Sequence, residues 1–343
     1  MDNYSLVVNT EVFEENYLPK RVVGREAEID LVVRCLKPAA QRKRPIHVWL
    51  YGRAGTGKTA VARHVLRQLD SEGGVRTAYV SCWRSGTLYK VADALVEGFR
   101  ILMAEQQNTG FKLERIRRHM GGTPLVVVLD EIDAVPPKDR NDIIRGLCNL
   151  GKVGLVCVSR GLQGFYSMDS SLRSRLAPQI VEFGAYPVPV LEQIVADRAA
   201  EGLAEGGWTH GPIHRIAQVS RGDARQAIQM LPRAAELAEE ERNPVIRGIH
   251  VSLVRQEADS PPADVVLSSL TEDHRMLYTL VLERRSVTSG DLYQLYRAGC
   301  AAAERKPVAV RTFSNYVNQL ARSGLITSER ARMKGKVRLF KPA

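Results

Sequence analysis

Ile46-His-Val-Trp-Leu-Tyr51 runs straight into Gly52-Arg-Ala-Gly-Thr-Gly-Lys-Thr59, and a helical stretch, ARHVLRQL, follows. An apolar strand, a loop that matches GxxxxGK[ST] in full and a helix opening at its end form the context in which this motif cradles phosphates. The glycines let backbone N–H groups wrap an anion, and the N-terminus of the following helix adds its dipole. Gly52, Arg53, Ala54, Gly55, Thr56, Gly57, Lys58 and Thr59 are therefore the candidate nucleotide-binding residues. Within them Lys58 is placed to neutralise β- and γ-phosphate charge, and Thr59 to hold Mg²⁺.

Outward from this loop, Pro45 to Val181 alternates short β-branched runs (TAYVSC, LVVVLD, GLVCVS) with helical segments such as DIIRGLCNL. Strands this uniformly apolar are buried on both faces, so helices must cover both sides of a parallel sheet. The expectation is a three-layer α/β domain. Leu125-Val-Val-Val-Leu-Asp-Glu131 supplies the second half of the phosphate site: the strand delivers Asp130 toward Mg²⁺ and Glu131 toward an attacking water. From Pro187 to about Val254 the pattern turns wholly helical, with Leu191, Ile194, Val195 and Arg198 on one helix and Ala224, Ala227, Ile228 and Leu231 on another. Ala258-Asp-Ser-Pro-Pro-Ala-Asp264 has linker composition. Three helical patterns and a basic hairpin signal, ARMKGKVRLF, complete the chain. The expected boundaries are 1–185, 186–257 and 265–343, with a linker at 258–264.

The charge is unevenly spread. Lys and Arg number 49 against 38 Asp and Glu, a formal +11, and from Ala303 onward ten Lys/Arg face two acids, so about +8 lies in the last 41 residues. That concentration points at the C-terminal domain as a nucleic-acid surface. Cys35, Cys82, Cys148, Cys157 and Cys300 are scattered, with no CxxC pair and no His at metal spacing, as in reduced thiols of a cytosolic protein. No apolar run approaches the roughly 20 residues that span a bilayer, and the start MDNYSLVVNTEVFEE has no signal-peptide core. A cytoplasmic, nucleoid-associated protein is expected.

In order along the chain, Phe13-Glu-Glu-Asn-Tyr-Leu-Pro19, Val23-Gly-Arg-Glu26, Val80-Ser-Cys82, Asp130-Glu-Ile-Asp133, Val181-Glu-Phe-Gly-Ala-Tyr186 and Ser220-Arg-Gly-Asp-Ala-Arg225 resemble the boxes of the archaeal origin-recognition ATPases. That AAA+ family is similar to subunits of the eukaryotic origin recognition complex and to its helicase-loading partner. The resemblance covers about residues 12 to 342. It implies an AAA+ P-loop domain, a helical lid over 186–257 and a C-terminal winged helix. It also implies that the N-terminal boxes pack over the adenine, that Tyr186 and Arg198 belong to the nucleotide site, and that Arg225 is a sensor touching the γ-phosphate. Two positions depart from the family: Arg160 stands where Asn is common, and Ser171 where an Arg is frequent. Arg173 and Arg175 are then the candidates for an arginine finger, a group worth roughly 10³ to 10⁵ in turnover, so hydrolysis is expected to be slow or to need a partner subunit.

Thr288 to Tyr296 and Val310 to Ile326 look like the second and third helices of the family's winged helix. Phe313, Tyr316, Val317 and Leu320 recur at i, i+3, i+4 and i+7, and Gly324 stops the helix. The opposite face carries Arg311, Thr312, Ser314, Asn315, Asn318, Gln319 and Arg322, side chains that pair with base edges in a major groove. Lys334, Lys336 and Arg338 form the basic wing beside it, suited to phosphates.

The resemblance implies an ATP/ADP- and Mg²⁺-dependent replication initiator that binds double-stranded origin DNA, with further copies of itself, and recruits or loads the replicative MCM helicase. A DNA-binding ATPase of a mobile element or a transcriptional regulator, without helicase loading, is the alternative. A protein-threading remodeller is disfavoured, since no aromatic-Val-Gly pore loop occurs.

Overall fold

The computed structural model describes residues 5–104, 107–259, 270–330 and 338–342. They fall into two compact units, Met1–Val251 and Ser252–Ala343.

In the first unit, β1 (Val48–Tyr51), β2 (Arg76–Ser81), β3 (Leu125–Asp130), β4 (Val153–Ser159) and β5 (Gln179–Glu182) form a parallel sheet in the order β2-β3-β4-β1-β5. α1 (Glu26–Leu36) precedes β1, and the helices between the strands are α2 (Lys58–Glu72), α3 (Leu88–Gly98), α4 (Thr109–Met120), α5 (Pro137–Cys148), α6 (Gln163–Tyr166) and α7 (Ser170–Leu176). Successive strand residues serve opposite faces. Trp49, Leu125, Val127, Leu129 and Leu155 pack with α3, α4, α5 and α7, while Val48, Leu50, Val126, Val128, Val156 and Val158 pack with α1 and α2. Each fully buried aliphatic side chain contributes about 1.5–3 kcal/mol, which is why uniformly apolar strands settle at the centre of three layers. Two helices, α3 and α4, stand between β2 and β3. The break has a local cause: Asn108 caps α4 through its side chain, accepting from Phe111 N at 2.9 Å.

The lid helices are α8 (Val188–Gly202), α9 (His210–Val219), α10 (Ala224–Glu240) and α11 (Gly248–Asp259). Residues 5–13, expected to belong with the nucleotide domain, lie on them. Val8 N–H donates to Gly202 O at 2.9 Å, Ala204 N–H to Leu6 O at 2.8 Å, and Val12 and Phe13 fill the space beside the bare Cα of Gly202. Ala258 and Asp259 of the expected linker end α11, and its residues 260–264 lie outside the described residues.

The second unit contains α12 (Glu272–Arg284), β6 (Val287–Thr288), α13 (Ser289–Ala302), α14 (Val310–Arg322), β7 (Ile326–Arg330) and β8 (Arg338–Pro342). Its antiparallel sheet, ordered β6-β8-β7, closes over Leu277, Val281, Leu292, Tyr296, Phe313, Val317, Leu320 and Phe340. The hairpin sits differently from the expected ARMKGKVRLF run: its strands are 326–330 and 338–342, and residues 331–337, including Lys334 and Lys336, lie outside the described residues. All five cysteines are free and buried. Among the described residues no helix is long and apolar enough to cross a membrane.

Candidate nucleotide site and nucleic-acid interface

The phosphate loop sits at the C-terminal edge of the sheet, where β1 hands over to α2, and open parallel sheets place ligands at that edge. Two of its glycines are obligatory. Gly55 has φ +69° and Gly57 φ +88°; a Cβ on the first would lie 1.8 Å from Asp223 Oδ1, and on the second 2.2 Å from the Tyr186 hydroxyl. Side-chain-free backbone at these points leaves the N–H groups to face an anion. Lys58 is buried, and its ammonium donates to Gly52 O and Arg53 O, both at 2.7 Å. Burial pulls its pKa from 10.5 to about 8, against the pull of Asp130 and Asp133, and the nearby cations Arg225 and Arg160 act in the same direction as burial.

Asp130 is buried at the end of β3. Its Oδ2 accepts from Thr59 Oγ1 at 2.8 Å and from the Tyr79 hydroxyl at 2.7 Å, and its Oδ1 accepts from Glu131 N–H at 2.9 Å. A hydroxyl and a carboxylate oxygen fit a hard divalent cation that completes its shell with water and phosphate oxygens, as Mg²⁺ does. Among the described residues no group of three or more His, Cys, Asp or Glu forms a separate metal cage. Glu131 is exposed at φ +56°, a left-handed conformation that costs a non-glycine residue about 1–2 kcal/mol. Asp130 fastens that turn.

The lid touches the loop directly. Ala224 N–H, in the first turn of α10, donates to Gly55 O at 3.0 Å, while Asp223 caps the same helix by accepting from Gln226 N–H at 3.0 Å. Arg225, the next residue, pairs with Glu15 (Nε–Oε1 2.8 Å), both exposed. A rim pair of this kind is worth at most about 1 kcal/mol, so a polyphosphate can take the guanidinium from it. Tyr186 is buried against Gly57, and its N–H donates to Gly222 O at 3.1 Å. Arg198 is buried with its guanidinium 4.3 Å from the ring centre of Tyr17, so it supports the N-terminal box and is not brought onto the phosphate loop. Arg173 donates to Tyr166 O at 2.9 Å, and Arg175 to Asn149 Oδ1 at 2.9 Å. Both flank the entry to β5, at the edge of the sheet away from the phosphate loop, so an arginine finger from either would serve a neighbouring copy.

In the second unit, α14 buries Phe313, Val317 and Leu320 and turns Arg311, Ser314, Asn315 and Gln319 outward. The structure ties wing to helix, with Arg338 donating to Asn318 Oδ1 at 2.8 Å. Gln319 Oε1 meets His274 Nε2 at 3.2 Å, a contact that occupies its carbonyl end and leaves the amide N–H₂ as its outward group. The side chain of Arg322 lies outside what the structure describes.

The AAA ATPase domain family model matches residues 21–158, the Cdc6 AAA+ ATPase-type lid domain 192–256 and the CDC6 C-terminal winged helix domain 272–341. The chain combines an AAA ATPase domain with a lid and a winged helix of the Cdc6 type. It is 26% identical to ORC1-type DNA replication protein 1 of Archaeoglobus fulgidus, over 96% of this chain and 85% of that one. It is 28% identical to ORC1-type DNA replication protein 10 of Halobacterium salinarum, over 94% and 85%. The Aeropyrum pernix ORC1 protein, solved in complex with DNA, superposes with a TM-score of 0.72 at 27% identity, over 99% of this chain and 94% of that chain. Cdc6p of Pyrobaculum aerophilum has the same fold, with a TM-score of 0.66 at 23% identity over 98% and 94%.

One residue that shapes the nucleotide site escapes sequence reasoning. Arg25 lies inside the Val23-Gly-Arg-Glu26 box, yet nothing local marks it. Its buried guanidinium donates to Thr56 O at 3.1 Å, to Gly184 O and to Glu28 (2.7 Å), and lies 4.2 Å from the ring centre of Tyr186. It thereby fixes the phosphate loop to the end of β5 and to α1. Arg25→Ala strands the buried carbonyl of Thr56, at a cost on the order of 1–3 kcal/mol, and releases the exposed Gly184 at the end of β5. The expected result is a lower melting temperature together with at least tenfold weaker nucleotide binding; a variant with unchanged melting and binding would show that the loop stands without it. Arg160, which the sequence marked as a departure, acts here through its backbone. Its N–H donates to Asp133 Oδ2 at 3.0 Å, holding the turn after β4 against the Asp130-Glu-Ile-Asp133 box.

Proposed function

We propose that this protein is an ATP-switched replication initiator: it binds ATP or ADP with Mg²⁺ in the loop 52–59, grips origin DNA through the winged helix, and in its ATP form recruits or loads the replicative MCM helicase. The observation that carries the switch is the direct hydrogen bond from the lid helix to the phosphate loop, Ala224 N–H to Gly55 O, with Arg225 one residue further on. A ligand that reorders this loop must move or fix the lid, and it shifts the equilibrium by its difference in affinity for the two lid positions. Mg²⁺ bound by Thr59 and Asp130 would neutralise charge between the β- and γ-phosphates. The likeness to a DNA-bound ORC1 protein supports the DNA partner, and the cation-rich C-terminal segment supplies the charge. Helicase recruitment rests on the resemblance to the archaeal origin-recognition ATPases, and retention of MCM on origin DNA in ATP but not ADP tests it. DNA binding without any ATP-dependent retention favours the mobile-element or regulatory reading.

For DNA contact, the Arg338–Asn318 pair makes one prediction sharper. Arg338→Ala removes a phosphate-range cation and frees Asn318, so it is expected to lower the log–log salt slope by about 0.9 and also to alter sequence preference. Asn315→Ala should cost on the order of 1–3 kcal/mol of discrimination while leaving non-specific binding intact. Salt titrations on origin and scrambled duplexes separate the two, and a variant pair indistinguishable from wild type would move the DNA elsewhere.

A further inference from the structure

We propose that the edge of the five-stranded sheet opposite the phosphate loop is a second DNA-binding surface, one that holds the phosphate backbone of a duplex without reading its sequence. The proposal rests on the DNA-binding function above and adds a surface on the other unit. All five strands are parallel, so their N-terminal ends share one edge and the segments entering them lie side by side. In the spatial order β2, β3, β4, β1, β5 those entries carry Arg76, then Arg117 with Arg118, then Lys152, then the run Arg42-Lys-Arg44, then Arg175. Every one of these side chains is exposed. The entering segments 41–46, 73–76, 117–124, 149–152 and 173–178 contain no Asp or Glu. The opposite edge differs, its strands ending in Ser81, Asp130, Ser159 and Glu182.

Neighbouring strands lie about 4.8 Å apart, so the row extends over roughly 20 Å. Duplex DNA carries one charge per about 1.7 Å of axis, so a length equal to that edge holds on the order of a dozen phosphates, of which those on the near side face the row. Between the entries to β3 and β4 is a groove of about 440 Å³ lined by Arg117, Arg118 and Lys152 together with Gly121, Gly122 and Gly151. A Cβ added at any of these glycines would meet nothing within 4 Å, so a bulky polyanion can approach the backbone there. The row is also drawn together, since Arg175 of the β5 entry bonds to Asn149 of the β4 entry at 2.9 Å.

A simpler origin exists for part of the row. Cations in the last turn of a helix are favoured by its carbonyl end, which accounts for Arg117 and Arg118 of α4, and Glu114 pairs with both at 2.8 Å. That effect fades beyond the last turn. It does not reach Arg76, Lys152 or the 42–44 run, and among the described residues none of these has a carboxylate within ion-pair distance. A row whose Arg76, Lys152 and 42–44 members have no carboxylate partner among the described residues matches a polyphosphate and gains affinity by releasing its counterions.

The test uses the full-length protein with two sets of neutral substitutions on this edge: Arg42→Gln, Lys43→Gln, Arg44→Gln, and separately Arg76→Gln, Lys152→Gln. Salt titration of binding to an unrelated duplex is expected to show the log–log slope falling by about 0.9 for each phosphate left without its cation, up to about 2.7 for the triple set. The ratio of affinities for preferred and scrambled duplexes, and ATP affinity, should stay at wild-type values. Arg42→Lys with Arg44→Lys keeps the charge and should keep the slope. Variants that melt as wild type does but retain its full slope on duplex DNA overturn the proposal while leaving the winged-helix reading in place. A wild-type protein that binds no duplex at low salt overturns both.

Discussion

Lys58→Ala is expected to weaken ATP binding by at least a hundredfold. The ammonium is the only side-chain cation inside the loop's own curve, held by Gly52 O and Arg53 O at 2.7 Å. Charge-assisted hydrogen bonds contribute about 1.5–3 kcal/mol each, and two of them to a polyphosphate give roughly 10² to 10⁴ in affinity. A pH dependence follows from the same burial. Lys58 in the free protein titrates near 8, below its ordinary 10.5, because burial opposes the charged form. Bound phosphate favours that charge, so the liganded protein holds the proton to higher pH than the free protein does. Binding above about pH 8 therefore takes up a proton, and affinity should fall with rising pH, by up to tenfold per unit. Below that pH the ammonium is already formed and the dependence flattens. Equilibrium binding of a fluorescent ATP analogue from pH 7 to 9.5 measures this, with Lys58→Arg as the control, whose guanidinium stays charged throughout and should remove the slope. Unchanged affinity in Lys58→Ala would sink the site.

The parts of this molecule legible in its sequence are those whose physics is local. The phosphate loop could be located because its glycines answer a backbone requirement within eight residues, and the strands because Val126, Val127 and Val128 all need cover whichever face they serve. The winged-helix core was legible for the same reason, its Phe313, Val317 and Leu320 lying one helical turn apart. What stayed hidden depends on partners far along the chain. Arg25 meets carbonyls 31 and 159 residues away, and Leu6 N–H meets the Glu239 carboxylate 233 residues away, so neither the loop clamp nor the N-terminal strap on the lid leaves a periodic trace. Gln319 shows the converse. Its place on the outer stripe of α14 suggested a free amide, but His274, 45 residues earlier, takes one end of it.

Glu131→Gln is expected to leave ATP affinity within a few-fold of wild type while lowering single-turnover hydrolysis by about 10² to 10⁴, the usual worth of a positioned general base. The separation follows from how the two adjacent carboxylates are held. Asp130 is buried and committed to Thr59, Tyr79 and the Glu131 N–H, so it serves the binding side of the site. Glu131 is exposed on a left-handed turn and is free of that network apart from its backbone, so in the proposed mechanism its side chain is the one assigned to the attacking water. An amide in its place keeps shape and hydrogen bonding but cannot accept the proton. Asp130→Asn should behave in the opposite way, costing Mg²⁺-dependent affinity first. The wild-type rate decides how the outcome bears on Arg160 and Ser171. Measurable turnover that disappears in Glu131→Gln assigns the base. If wild type hydrolyses nothing even with DNA and a second copy present, the two departures mark a switch driven by nucleotide exchange, and Arg160→Asn is the variant in which turnover should then emerge.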